Sequence, residues 1–87
     1  MAIIFIPSLL RGLSLGQSQV EIQAATVGEA IDILDQQFPG IKERLVEGDR
    51  LNPTLILAVD GTVSRRGLRQ AVQSDSEVHF LPVMAGG

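Results

Sequence analysis

Residues 26–40 read TVGEAIDILDQQFPG, and this stretch decides the fold. Its apolar side chains recur at helical spacing, at Val27, Ile31, Leu34 and Phe38. Thr26 and Glu29 form a capping-box pattern, in which two side chains satisfy free amides where a helix begins, and Pro39-Gly40 ends the helix. The polar side chains of the opposite side, expected only to face water, are Asp32, Asp35 and Gln36. The stretch therefore predicts one amphipathic helix whose apolar face needs a second layer to cover it.

Two strand patterns precede this helix. Residues 3–6 read IIFI, a β-branched and aromatic run typical of a strand buried on both faces. Residues 18–23 alternate polar and apolar side chains, which predicts a second strand. Gly12 and Gly16 lie between the two and favour a flexible hairpin connection. The chain is therefore expected to begin with a β-hairpin.

The patterns after the helix are shorter. Residues 41–51 predict one helical turn, closed by Gly48. Residues 54–59 and 77–83 predict two apolar strands. A weak strand and a brief turn are expected between them, at Val63 and at residues 68–72.

The predicted order is strand, strand, helix, strand, weak strand, strand. In a chain of 87 residues the helix must pack across one face of a mixed sheet of four to five strands. The last strand is apolar enough to lie centrally beside the first, and that pair would be parallel. This α+β arrangement is the β-grasp, or ubiquitin-like, fold. We expect the domain to span residues 1–83 and residues 84–87 to form a flexible tail.

Composition excludes several classes of function. The chain has no cysteine, so disulfides, thiolate zinc sites and thiol catalysis are excluded. A net charge of −3 argues against nucleic acid and anionic membrane as partners. No apolar run approaches a signal-peptide core or a membrane span, so we expect a cytoplasmic protein. The sequence shows no set of nucleophile, general base and orienting group, which indicates that the chain is not an enzyme.

The sequence reads MAGG at residues 84–87, directly after the last predicted strand. A free carboxylate on Gly87 would stand at the end of an extended arm that reaches roughly 17 Å from Val83. Glycine lacks a Cβ atom, so Gly86-Gly87 can pass through a narrow enzyme channel. Small residues are also common at ends with no function. The strand order that precedes this tail favours the functional interpretation.

Residues 75–87, DSEVHFLPVMAGG, resemble the end of the ThiS/MoaD family of ubiquitin-like sulfur carriers. That ending is an acidic turn, an apolar strand, a proline and a terminal Gly-Gly. The family often has Gly-Asp where this chain has Ser74-Asp75 followed by Ser76, a departure that touches only a turn. Residues 6–11 and 40–45 resemble the carriers of cysteine biosynthesis in particular.

The resemblance implies a chemistry centred on Gly87. In this family an E1-like adenylyltransferase uses ATP and magnesium to adenylate the terminal carboxylate, and a sulfur donor then displaces AMP to leave a thiocarboxylate. A sulfur-accepting synthase, of the cysteine-synthase, thiazole-forming or molybdopterin-forming kind, receives the sulfur. Gly87 would be the modified residue, and Ala85 and Gly86 would lie in the partner's channel. The chain itself would bind no cofactor and no metal.

The last strand also carries two candidate docking residues. If Val78 and Phe80 face the helix, His79 and Leu81 lie on the opposite face, which commonly docks partners in ubiquitin-like proteins. An ordinary surface histidine with one exposed leucine is the alternative. Arg65, Arg66 and Arg69 are either a contact for an acidic partner or a solvated face.

Two other functions remain open from the sequence. A ubiquitin-type modifier would pass the same activated Gly87 to a target lysine, and Lys42, the single lysine, would restrict chain building on the protein itself. A β-grasp interaction module would need no chemistry at Gly87. Activation of the carboxylate is common to carrier and modifier, so only the acceptor separates them.

Overall fold

The structure is a computed structural model that describes residues 1–83. The predicted residues Ala85, Gly86 and Gly87 therefore lie outside the described residues. The strands are β1 Ala2–Phe5, β2 Gln19–Ile22, β3 Val46–Glu47, β4 Arg50–Leu51, β5 Leu55–Val59, β6 Thr62–Ser64 and β7 Glu77–Pro82. The helices are α1 Val27–Gln37 and α2 Ile41–Leu45, with short 3-10 turns at Ser8–Leu10 and Gly67–Arg69.

Five strands form one mixed sheet in the order β2-β1-β7-β5-β6. β1 and β7 are parallel, whereas β1–β2, β5–β7 and β5–β6 are antiparallel. With α1 on one face, this is the predicted β-grasp, and the weak strand expected around Val63 is β6. No helix within residues 1–83 is long and apolar enough to cross a bilayer.

The helix α1 closes the core. Its inward side chains are all buried, namely Val27, Ala30, Ile31 and Leu34. Each fully buried aliphatic side chain contributes roughly 1.5–3 kcal/mol relative to exposure. The capping box is formed, since the Glu29 amide donates to Thr26 Oγ1 at 3.2 Å. The Glu29 carboxylate accepts from the Ala25 amide at 3.1 Å, one residue before the cap.

The first strand corrects one prediction. Ala2 and Ile4 are buried, but Ile3 and Phe5 are only half-buried, so residues 3–6 are not buried on both faces. The reason is that a single helix covers a single face of the sheet. In an alternating strand, every second side chain then faces away from the core.

The two aspartates predicted only to face water instead hold the corner between α1 and α2. Asp35 Oδ1 accepts from the Gly40 amide at 3.1 Å and from the Lys42 amide at 3.0 Å. Asp32 pairs with the Lys42 ammonium at 2.6 Å, and this hydrogen bond raises the pKa of Lys42. Gly40 has φ +101°, which a residue with a Cβ rarely adopts.

The segment of residues 46–51 also differs from the prediction. The helical turn at residues 41–45 is confirmed as α2. Gly48, with φ +67°, does not close that turn but lies in a two-stranded hairpin formed by β3 and β4. Each of these strands has two residues, too few to show a period of two in the sequence.

Asp60 ties the turn after β5 to the beginning of β7. Its Oδ1 accepts from the Glu77 amide at 2.9 Å, and its Oδ2 accepts from the Ser76 hydroxyl at 2.8 Å. The pKa of the Asp60 carboxyl lies below its usual value because the Glu77 amide and the Ser76 hydroxyl donate to its ionised form. Ser76, which follows the departure from the family pattern at Ser74-Asp75, is therefore a buried structural residue.

We predict that Asp60→Asn lowers the free energy of unfolding most strongly at neutral pH. A folded-state pKa below the unfolded-state value stabilises the fold fully above the usual value of 3.8. That stabilisation is lost as the pH falls through the lowered folded-state pKa. Asparagine tolerates the positive φ of 52° at this position, so the exchange tests the charge and not the backbone.

Urea unfolding of both proteins from neutral pH down to about pH 2.5 checks this prediction. The difference between them should narrow in acid. Asp75→Asn, in the exposed turn nearby, serves as the control. A difference that stays constant over the whole range would contradict the assignment of the charge effect to Asp60.

Candidate functional site

The sheet face opposite α1, called here the open face, carries an apolar surface. Directly paired residues of neighbouring strands point to the same face. Phe5, His79, Ala58 and Val63 form one such row across β1, β7, β5 and β6. Leu81 pairs with Ile56 in the row towards the end of β7. The exposed fractions of Leu81, Ile56 and Val63 are 44%, 36% and 61%, so three aliphatic side chains are accessible on one surface.

His79 is held in place by its neighbour on β1. Its ring stacks on Phe5 with centroids 4.1 Å apart and an interplanar angle of 10°. Its Nε2 lies 3.6 Å from a Glu77 carboxylate oxygen. Val78 and Phe80, the residues on either side, are buried, so the predicted division of β7 between its two faces is confirmed. The docking role of His79 and Leu81 remains a prediction.

A groove of about 660 Å³ opens where β7 ends. Phe5, His79 and Leu81 line this groove. Leu9 also lines it, and 91% of the Leu9 surface is exposed. The Val83 amide donates to the Thr54 carbonyl at 2.8 Å. The chain is thus hydrogen-bonded to the sheet one residue beyond β7, at the position from which residues 84–87 continue.

Sequence reasoning missed two members of this surface. Phe5 was assigned to a strand buried on both faces, and alternation with the buried Ile4 was the signal that could have placed it. Ile56 lies in the uniformly apolar run LILAV, which gives no indication of its face. The pairing of Ile56 with Leu81 is what places it on the open face.

The other predicted charged residues lie elsewhere. Arg65, Arg66 and Arg69 line a separate groove together with Arg50. Residues 1–83 hold no group of three or more His, Asp or Glu side chains that could bind a metal ion. Within residues 1–83, the open face offers accessible aliphatic side chains for contact with another protein.

Comparison with known proteins identifies the family. The model of the ThiS family matches residues 8–87. This chain belongs to the ThiS family. The match includes β7 and extends through Gly86 to Gly87. It therefore covers residues 75–87, on which the resemblance in the sequence is based.

Individual relatives of this ThiS-family chain are sulfur carriers. It is 32% identical over 87 residues to the sulfur carrier protein CysO of Mycobacterium tuberculosis, with 94% of each chain covered. A chain of the BexX/CysO complex from Amycolatopsis orientalis superposes with a TM-score of 0.92 at 34% identity, covering 100% of both chains. The crystal structure of Mycobacterium tuberculosis CysO gives a TM-score of 0.89 at 28% identity, covering 97% of this chain and 100% of that one. The predicted family and its CysO-like subgroup are confirmed.

We predict that His79→Ala lowers the free energy of unfolding by about 1 kcal/mol, because it removes the stacked ring from Phe5. His79→Phe preserves a ring at the same position and should cost clearly less. Chemical denaturation of the three proteins measures both differences. Equal losses for the two variants would show that the stack on Phe5 does not stabilise the sheet.

Proposed function

We propose that this chain is a sulfur carrier whose Gly87 carboxylate is adenylated and then converted to a thiocarboxylate. The observation that carries the proposal is the ThiS-family match, which continues from the sheet to Gly87. The 32% identity to CysO, a sulfur carrier by name, supports the same function. The sulfur delivered in this way serves biosynthesis, with cysteine as the product favoured by the CysO likeness.

The chemistry requires activation because a carboxylate is a poor electrophile. An E1-like enzyme supplies ATP and magnesium, and a carboxylate oxygen of Gly87 attacks the α-phosphorus while pyrophosphate leaves. A sulfur donor then attacks the acyl adenylate, AMP leaves with the shared oxygen, and the thiocarboxylate remains. The nucleotide and the metal belong to the enzyme, so the carrier binds no cofactor. Because ATP is a cytoplasmic metabolite, we place the carrier in the cytoplasm.

The carrier contributes recognition and delivery and no catalytic side chain. Gly87 holds the sulfur, and Ala85 and Gly86 present no branched side chain to an enzyme channel. The open face supplies the docking surface, centred on His79 and Leu81. It exposes the aliphatic side chains of Leu81, Ile56 and Val63 beside His79, and apolar side chains gathered in this way are typical of protein contact surfaces. The chain is accordingly a substrate of its enzymes and not an enzyme.

Two kinds of partner follow from this cycle. An adenylyltransferase must bind the carrier before the sulfur is loaded, and a sulfur-accepting synthase must bind it afterwards. The CysO-like chain of Amycolatopsis orientalis occurs in a complex with BexX. We infer that the present chain likewise forms complexes through its open face, with its end directed into the partner.

The first prediction of this proposal concerns the mass of the chain. Incubation with ATP, magnesium, the host's adenylating enzyme and a sulfide source should add the mass of one oxygen-to-sulfur exchange. Deletion of Gly87 should abolish this change while leaving the circular dichroism spectrum and the unfolding transition intact, because β7 ends at Pro82. Intact-protein mass spectrometry measures the product.

Lys42→Arg is the matched control, since it removes the single lysine and should leave loading unchanged. The chain could instead be found linked through Gly87 to lysines of other proteins, with no thiocarboxylate. That result would show that it is a protein modifier and not a sulfur carrier. If a competent enzyme yielded neither product, an interaction module without chemistry at Gly87 would be the better description.

The second prediction concerns docking. Leu81→Asp and Ile56→Asp should each raise the dissociation constant for the adenylating enzyme at least about tenfold, since each places a charge at the centre of an apolar contact. Leu15→Asp makes a similar exchange in the β1–β2 loop, where the side chain is 82% exposed, and should have no such effect. Calorimetric titration of the folded variants measures the three dissociation constants. If Leu81→Asp and Ile56→Asp bound with unchanged affinity, the open face would not be the docking surface.

A further inference from the structure

A second groove, of about 720 Å³, lies beyond the β6 edge of the sheet. It is formed by β4 with the residue before it and by the segment from Arg65 to Arg69, which contains a 3-10 turn. We call it the arginine groove, after Arg50, Arg65, Arg66 and Arg69. Neither the carrier chemistry nor the open face accounts for it.

Positive charge is concentrated at this groove in an otherwise acidic chain. Four of the chain's seven Lys and Arg residues line it, but Asp49 is its single acidic residue. None of the four arginines forms an ion pair within residues 1–83, where Lys42 pairs with Asp32. Like charges placed together repel each other, and Asp49 is the one acidic side chain that lines the groove beside the four arginines. Their field is therefore available to an anionic group from outside.

The position of the groove relates it to the end of β7. β5 is antiparallel to both β6 and β7, so β6 and β7 run in the same direction. Ser64, the last residue of β6, pairs with Leu57 of β5, and Leu57 pairs on its other side with Phe80 of β7. Ser64 and Phe80 therefore lie at the same height in the sheet. Arg65 and Arg66 therefore follow β6 at the end of the sheet from which residues 84–87 continue.

The groove borders the α1 side of the edge strand β6, because the Gly67–Arg69 turn that lines it packs against α1, where the Val27 amide donates to the Gln70 carbonyl at 3.0 Å. Val63 closes the row that contains Phe5 and His79, and Arg65 is two residues further along the chain. A protein that covers the open face would meet the arginines by reaching round the edge strand β6. Charged residues at the rim of an apolar contact are the usual source of orientation and of fast association.

We propose that the arginine groove binds an acidic segment of the protein that docks on the open face. The identity of that protein as the adenylating enzyme rests on the proposed function; the recognition of acidic side chains does not. The groove then fixes the orientation of the partner at the end of the sheet where Gly87 must be delivered.

A protein segment fits the groove better than a nucleic acid or a phosphate group. The residues that line the groove include no aromatic side chain on which a base could stack. All four arginines are exposed and come from two separate segments, so no single buried point collects their guanidinium groups. Spread charges of this kind match carboxylates spaced along an extended peptide.

The direct test is a titration of the isotope-labelled chain with an oligoglutamate peptide, followed by amide chemical shifts. Saturable shifts are expected at Arg50 and at residues 65–69. The variant R65Q/R66Q should lose them, whereas Q36E/Q73E changes the net charge equally at exposed sites elsewhere and should retain them. The proposal would be overturned if the chemical-shift changes were absent, scattered over the chain or undiminished in R65Q/R66Q. The arginines would then only form a solvated face.

Pyrophosphate and a short RNA are titrated in parallel. If either produced the same shifts at lower concentration than the peptide, the groove would be a phosphate site and the proposal of an acidic protein segment would fail. Much weaker effects from both are expected, because neither presents carboxylates at peptide spacing.

The second test uses the adenylating enzyme. We expect R65Q/R66Q to raise the KM for the carrier about three- to tenfold, to leave kcat unchanged and to weaken the dependence of KM on salt. Q36E/Q73E should behave like the unaltered chain. An unchanged KM would show that the adenylating enzyme does not bind at the arginine groove. Failure of the unaltered chain to form any thiocarboxylate would instead refute the proposed function, while the peptide titration still decides the groove.

Discussion

The central position of β7 is the constraint on which the rest of the structure depends. In the sheet of residues 1–83, the β2–β1 half and the β5–β6 half are joined through β7. Its inward side chains, Val78 and Phe80, belong to the core that α1 covers. Because β1 and β7 come from opposite ends of the sequence, their pairing closes nearly the whole chain into one loop. The strand that leads to Gly87 is thus the central strand of the sheet, with a hydrogen-bonded neighbour on each side.

The single main helix explains why one face of the sheet is available to a partner. A chain of 87 residues builds two layers, and α1 covers one side of the five strands. The other side keeps Leu81, Ile56 and Val63 accessible, together with the stacked pair of Phe5 and His79. Aliphatic side chains gathered on one face favour contact with another protein, whereas the same residues scattered singly would need no explanation.

The sequence was sufficient for features that repeat along the chain and insufficient for those that depend on distant partners. The period of α1 and the alternation of β7 are visible in single stretches, so the helix, the β-grasp order and the faces of His79 and Leu81 followed from them. The β3–β4 hairpin is too short to show any period. Asp35 caps α2 and Ser76 binds Asp60, and both contacts require a fold that brings separate segments together. Ile56 acquires its face only through its pairing with Leu81.

The two ends of β7 take part in different contacts, which explains why the departure from the family pattern at Ser74-Asp75, next to Ser76, is compatible with carrier chemistry. Asp60 and Ser76 secure the beginning of the strand, where a change of turn residues alters hydrogen bonds within the fold. The end of the strand, six residues later, contacts the groove at Leu81 and continues to Gly87. At about 3.3 Å per residue, the strand separates these two places by roughly 20 Å. A change of turn residues at the beginning of β7 therefore leaves the residues at the end of the strand in place as long as the sheet stays stable.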